Sequence, residues 1–173
     1  RKKPYFLFIG TIEPRKNLVR LIDAFIRFRS RQIPLVKMVR SDQIDDRRFA
    51  LVLVGGKGWN NDDVFMQIER ANLKLGKGSV QYLGYVSEEE KTALLQNATA
   101  FVWPSLYEGF GLPVLEAMAM GVPVITSNVS SIPEITGDAA MLVNPENVVE
   151  IVDAMEKIVR DDALREQLKT RGI

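Results

Sequence analysis

Ser105-Leu-Tyr-Glu-Gly-Phe-Gly-Leu-Pro-Val-Leu-Glu-Ala-Met-Ala-Met-Gly121 reads as a loop running into a helix, and it decides the fold. The apolar run before it, Ala100 to Trp103, has the character of a short buried strand, and Pro104 stops it. Gly109 and Gly111 let the loop backbone turn sharply and approach a ligand. Pro113 suits the first helical position, where no N–H is needed. Gly121, followed by Pro123, suits the end of the same helix. Strand, tight loop and helix N-terminus together make a place where free amides and the helix dipole favour an anion.

Two carboxylates bracket this turn. Glu108 sits on the loop, and Glu116 falls about one turn into the helix, whose side chains lean back toward its N-terminus. Both can face one bound molecule. The anion would rest on the amides between them, and the carboxylates would take its uncharged hydroxyl-bearing ends. That describes a sugar nucleotide. The plainer reading makes Glu108 a surface acid and Glu116 a complement to the helix dipole; the glycines and proline in register favour the ligand.

Composition narrows the field. The length of 173 residues suits one domain, and 46% hydrophobic residues suffice for a real core. The formal net charge of +1 gives no reason to expect a nucleic-acid partner. With no Cys and no His, disulfides, thiolate metal sites and an imidazole base are all excluded from this chain. No apolar run approaches the roughly 20 residues of a membrane span. The start at Arg-Lys-Lys-Pro, with a strand following at once, suggests a piece of something longer.

Tyr5 to Ile9 predicts the first strand, ending at Gly10, and a polar loop runs from Thr11 to Lys16. Leu18, Leu21, Ile22, Phe25 and Phe28 recur at helical spacing, with Asn17 placed to cap them. Arg15 and Lys16 therefore lie where a strand's carboxyl end passes into a helix, the ligand-binding edge of an open parallel sheet. Arg20, Arg27, Arg29 and Arg31 read as a solvated cluster along the helix. Val36 to Arg48 reads as a solvent-facing excursion without function. Phe49 to Val54 predicts a second strand, and Gly55-Gly56-Lys57-Gly58 after it points to close backbone approach to a ligand, helped by Lys57. Trp59 reads as loop packing.

Asp62 or Asp63 is placed to cap a helix carrying Val64, Phe65, Ile68, Leu73 and Leu75. Val80 to Leu83 predicts a third strand, and Ser87 with Glu90 a capping box for the next helix. Val122 to Thr126 and Ala140 to Val143 predict further strands, separated by a polar loop with a short turn at Pro133-Glu134-Ile135. Val148, Ile151, Val152, Met155 and Ile158 form a helical stripe, and Leu164 and Leu168 mark a final short helix. Strand and helix alternate about six times, which predicts an α/β fold: a doubly wound parallel sheet, Rossmann-like, with helices on both faces. The stretches Gly10 to Lys16, Gly55 to Gly58, Gly84 to Val86 and Ser105 to Gly111 all follow strands, so they converge on one sheet edge.

Phe101 to Ala119, with Gly121-Val-Pro-Val-Ile125, closely resembles the retaining glycosyltransferases of family 4, whose Glu-x7-Glu signature matches Glu108 and Glu116. Gly10-Thr-Ile-Glu-Pro-Arg-Lys-Asn17 resembles the family's diphosphate-binding loop. Gly55 to Trp59, Leu83 to Val86 and Asn128-Val-Ser-Ser-Ile-Pro-Glu134 fit in the same order, and the match covers nearly the whole chain outside Val36 to Arg48. The resemblance is strongest to bacterial polysaccharide and O-antigen mannosyltransferases.

That resemblance implies the C-terminal, donor-binding domain of a two-domain GT-B enzyme, with an N-terminal acceptor domain absent from this chain. Glu108 would lie against the donor sugar, helped by the backbone of Gly109, Phe110, Gly111 and Leu112. Glu116 would hold the ribose, and Arg15 and Lys16 the diphosphate. Thr11 and Gly55 would border the donor, and Gly84 to Val86, with Tyr85, the nucleobase. The reaction implied is retaining, metal-independent and without a cofactor. It moves a hexosyl group, mannosyl from GDP-mannose foremost with UDP-sugars next, to a glycan or lipid-linked hydroxyl. The implied setting is the cytoplasm, with the whole enzyme peripheral to the cytoplasmic membrane face. Two departures stand out. Thr11 occupies a position where some relatives carry Arg, and Ser130-Ser131 stands where relatives often carry glycines. The competing classes are a GT-B-type epimerase or phosphorylase and a non-catalytic nucleotide-binding module.

Overall fold

The computed structural model describes residues 3–31 and 49–172. The reading of Val36 to Arg48 lies outside these described residues. Six parallel strands form one sheet: β1 (Tyr5–Ile9), β2 (Ala50–Val54), β3 (Val80–Gly84), β4 (Ala100–Trp103), β5 (Val124–Ser127) and β6 (Met141–Val143). Their order is β3-β2-β1-β4-β5-β6. The chain winds outward from β1 in one direction and from β4 in the other. The crevice between the loops that follow β1 and β4 is thus the switch point of the sheet, where open α/β folds bind ligands.

Burial follows strand position. Every residue of β2, β4 and β5 is buried, as parallel strands covered on both faces require. The edge strand β3 alternates toward solvent instead. The helices are α1 (Leu18–Ser30), α2 (Asp62–Leu75), α3 (Glu88–Gln96), α4 (Leu112–Ala119), α5 (Ile132–Thr136), α6 (Val148–Arg160) and α7 (Asp162–Gly172). α1 packs between α2 and α6, while α4 packs on α5 and α7. The stripe expected on α1 is buried throughout, and Phe28 meets Phe6 and Phe49 edge-on at 5.4 and 5.7 Å. Burying one such ring contributes about 1.5–3 kcal/mol, so this aromatic knot anchors α1 to β1.

Several local expectations need correction. Asn17 stands at the N-cap of α1, but its side chain makes no cap bond; its amide donates elsewhere. Neither Asp62 nor Asp63 caps α2, because the cap position falls to Asn61. Leu73 faces solvent, since that helix buries only Val64 and Ala71 fully. Trp59 is exposed rather than packed into its loop. Pro113 is the second residue of α4, after Leu112. Arg29 is not part of a solvated cluster. It is buried, and its guanidinium donates to the carbonyl of Phe49 (2.5 Å) beside the aromatic knot. The capping box on α3 forms as expected, with Ser87 and Glu90 bonding each other's backbone.

Candidate functional site

Hydrogen bonds join the loops along the carboxyl edge of the sheet. The Gly10 amide donates to Val54, and Ile12 to Gly56 (both 2.9 Å), so the loops after β1 and β2 run together. Gly55 has φ +136, and a Cβ there would stand 2.0 Å from the carbonyl oxygen of Gly10. The close approach at Gly55 is therefore to the protein's own backbone. Its amide also bonds Gly84 at the end of β3 (2.8 Å). The Lys57 ammonium lies over the Phe65 ring, 4.4 Å from its centroid, and so points toward α2.

Pro14–Lys16 forms one 3-10 turn, and Asn17, in the left-handed region at φ 60, turns it into α1. The Asn17 amide nitrogen donates to Pro104 (3.0 Å) and to Pro145 (2.7 Å). One buried side chain thereby ties the loops after β1, β4 and β6. The carbonyl of Arg15 accepts from the Leu106 amide (2.9 Å). These bonds bring the 3-10 turn against the loop after β4, across the switch point.

Glu108 is buried there, only 6% exposed. Its Oε1 accepts from Lys16 Nζ at 2.6 Å and its Oε2 from Arg15 Nη1 at 2.5 Å. Lys16 is buried as well, with its ammonium 4.2 Å from the centroid of the Trp103 ring. Trp103 is fixed in turn by its indole N–H, which donates to Ile9 (3.2 Å). Arg15 reaches further, to the Tyr107 carbonyl and to Glu13. Desolvation works against the Arg15 charge, but the Glu108 and Glu13 carboxylates outweigh it and raise its pKa above the usual guanidinium value. Arg15 and Lys16 thus hold two positive charges beside one buried carboxylate. The Lys16 ammonium still has N–H groups to give.

The loop that carries Glu108 is held from a second side. Its amide donates to Ser130 Oγ and its carbonyl accepts from Ser131 Oγ, each at 3.1 Å. Gly111 has φ +90, and a Cβ there would crowd the Cδ1 atoms of Ile132 and Ile135 at 2.7 and 2.9 Å. The amides of Gly109, Phe110 and Gly111 make no hydrogen bond among the described residues, so this stretch can donate to a ligand. Phe110 and Leu112 present large exposed side chains beside it, and Gly109 is exposed too.

Glu116 has different surroundings. Its side chain is 46% exposed and accepts from Lys91 Nζ at 3.3 Å. Lys91 is held mainly by Glu88, which raises its pKa. Tyr85 is 84% exposed beyond the end of β3, and Val86 packs partly against the core. Thr11 is exposed at the end of β1. The structure therefore brings Arg15, Lys16 and Glu108 into direct contact, and leaves Thr11, Tyr85, Glu116, Phe110 and Leu112 exposed, with Glu116 bonded to Lys91 rather than to that cluster. Asn17, Trp103, Ser130 and Ser131 support the site without having been singled out for it. The only signal for the serines was their place where relatives carry glycine. A cavity of about 540 Å³ lies at the other edge, lined by Pro4, Phe49, Thr99 and Pro123, which precede strands rather than follow them. Among the described residues, no group of three acidic side chains is placed to hold a metal ion, and no helix is long and apolar enough to cross a membrane.

Comparison with known proteins matches residues 1–173 to the family described as glycosyl transferases group 1. The O-antigen chain mannosyltransferase B of Escherichia coli is 40% identical over 169 residues, which is 98% of this chain and 40% of that protein. The O-antigen chain mannosyltransferase RfbU of Salmonella typhimurium is 34% identical over 158 residues, 91% of this chain and 39% of that protein. The chain thus spans about 40% of the length of these relatives. Among solved structures, a sucrose-phosphate synthase from Thermosynechococcus elongatus superposes with a TM-score of 0.75 at 28% identity, covering 99% of this chain and 40% of that one. A trehalose-phosphate synthase from Burkholderia vietnamiensis reaches 0.82 at 16% identity, covering 98% and 40%, and speaks for the fold alone.

Proposed function

The chain belongs to the glycosyl transferases of group 1, and we propose that it is the donor-binding, C-terminal half of a retaining GT-B mannosyltransferase acting in bacterial polysaccharide synthesis. One observation carries this reading: Arg15 and Lys16 from the loop after β1 meet Glu108 from the loop after β4 at the switch point of the sheet. Two cations and a carboxylate there suit a ligand that joins a diphosphate to a sugar. The likeness to the two O-antigen mannosyltransferases favours GDP-mannose as the donor, with UDP-sugars next. The acceptor is a glycan or lipid-linked hydroxyl, bound largely by the N-terminal half. The whole enzyme works at the cytoplasmic face of the membrane.

In the reaction the bond from the anomeric carbon to the diphosphate oxygen breaks, and its electron pair leaves on the diphosphate. The acceptor oxygen bonds the anomeric carbon on the same face, and its proton departs with the diphosphate. The barrier is the negative charge that grows on the leaving phosphate. Lys16, Arg15 and the amides from Gly109 to Leu112 stabilise it, the Arg as a fork and the Lys as a point charge. The reaction proceeds without a metal or cofactor, the leaving charge being met by hydrogen bonds from these groups as Arg15 and Lys16 are shared between their carboxylates and the diphosphate. Glu116 accepts from the ribose hydroxyls, and Thr11, Gly55, Tyr85 and Val86 border the nucleotide. Glu108 accepts from the sugar hydroxyls and stabilises the oxocarbenium-like centre by its charge. Both of its oxygens are engaged by cations at 2.5 and 2.6 Å, so the carboxylate is fixed in place before the donor arrives.

The test is a donor screen on the full-length protein with a glycan or lipid-linked acceptor. Mannose transfer from GDP-mannose that requires the acceptor supports the reading. Consumption without an acceptor would move the assignment to an epimerase, and binding of GDP without turnover in any combination to a binding module.

A further inference from the structure

We propose that Ser130 and Ser131 are positioning residues for Glu108, two consecutive hydroxyls that grip the peptide of that carboxylate from both sides. The proposal rests on the role given to Glu108 above. The geometry is reciprocal: Ser130 Oγ accepts from the Glu108 amide and Ser131 Oγ donates to the Glu108 carbonyl, both at 3.1 Å. Arg15 and Lys16 fix the other end of the residue, at the carboxylate. Glu108 is thus held at its backbone by the loop between β5 and α5 and at its side chain by the loop after β1.

Two features separate this grip from ordinary loop packing. Ser130 has φ +53, a left-handed conformation that glycine adopts freely and serine does not. Serine has the hydroxyl that glycine lacks, and that hydroxyl accepts from Glu108. Strain of this kind gathers where the surrounding structure holds a site in place. The loop that carries Glu108 also packs on α5, with Gly111 seated against Ile132 and Ile135. That packing does not involve the hydroxyls, which bond the Glu108 amide and carbonyl.

The test uses Ser130→Gly, Ser131→Ala and Ser131→Thr in the full-length protein, with Glu108→Gln as the reference. Ser130→Gly removes the acceptor and relieves the backbone, so stability and activity should move apart. The melting temperature should hold or rise, while kcat for mannose transfer falls roughly tenfold to a hundredfold, the loss expected of a reacting group displaced by about an ångström. Inhibition by GDP, which lacks the hexose that Glu108 would touch, should stay within about twofold of wild type. Ser131→Ala should lower kcat likewise, and Ser131→Thr, which keeps the hydroxyl, should restore it. Exchange of the Glu108 amide hydrogen should quicken in Ser130→Gly. If activity and melting temperature fall together in Ser130→Gly and Ser131→Ala, the serines are scaffold and the proposal is overturned. Wild-type kcat in both, with Glu108→Gln inactive, overturns the grip and leaves the assigned function standing. Wild-type transfer by Glu108→Gln overturns that function, and the positioning role with it.

Discussion

Glu108 and Glu116 stand in one motif, yet the fold treats them in opposite ways. Glu108 is buried, gripped at both carboxylate oxygens by Arg15 and Lys16 and at its peptide by two serines. Glu116 is half exposed, with a single longer contact to Lys91. The loop end of the motif is assembled before any ligand arrives, and the helix end is open. A buried carboxylate with two cations is worth having only where the charges stay paired or are handed to a new partner. An exposed carboxylate on a helix costs the fold little and stays free to bind hydroxyls. The loop end should therefore govern both stability and chemistry, and the helix end affinity.

The largest effect should come from Glu108→Gln, which keeps the shape and removes the charge. Transfer should drop about a hundredfold or more, the scale on which a preorganised electrostatic group counts, as read by initial rates with GDP-mannose. Next comes Lys16→Ala, which leaves Glu108 buried with one cation fewer. Removing one partner of a buried pair costs about 3–5 kcal/mol, tempered here by Arg15. Denaturant unfolding should show that loss together with slower transfer; unchanged stability would erase the contrast between the two glutamates. Glu116→Ala should leave unfolding within about 0.5 kcal/mol of wild type. Its cost should appear in nucleotide binding, about 1.5–3 kcal/mol for hydrogen bonds to a charged group, measured by GDP titration calorimetry. Undiminished GDP affinity would remove Glu116 from the ribose. Lys91→Ala should be smallest, under about 1 kcal/mol in stability, because its partners are exposed. A larger loss would mean that the helix end is as preassembled as the loop end.

Much of this was legible in the chain. Apolar runs of strand length alternating with helical stripes gave all six strands, because each is bounded by glycine, proline or a cap. The meeting of Arg15, Lys16 and Glu108 followed from their places after strands, since a parallel sheet gathers those loops on one edge. What stayed hidden was pairing across long separations. Nothing local tells that Arg29 turns inward to the Phe49 carbonyl, as its neighbours Arg27 and Arg31 form surface ion pairs. Asn17 looks like a helix cap by position, yet its amide ties two distant proline carbonyls, because a left-handed backbone aims it away from α1. Ser130 and Ser131 stand out in the sequence only as a departure from glycine, and their bonds to Glu108 appear only in the fold. The α2 stripe erred at Leu73, where helical spacing alone could not show how little of that helix the sheet covers.

In the proposed function a single donor lies across the switch point, its sugar at Glu108, its diphosphate on Arg15 and Lys16, and its ribose at Glu116. A crystal structure of the full-length protein with GDP-mannose tests it most directly. Phosphate oxygens should stand within hydrogen-bonding distance of the Lys16 ammonium and the Arg15 guanidinium, and ribose hydroxyls on the Glu116 carboxylate. A nucleotide bound at the opposite edge of the sheet, or one that leaves the Arg15 and Lys16 side chains untouched, would contradict it.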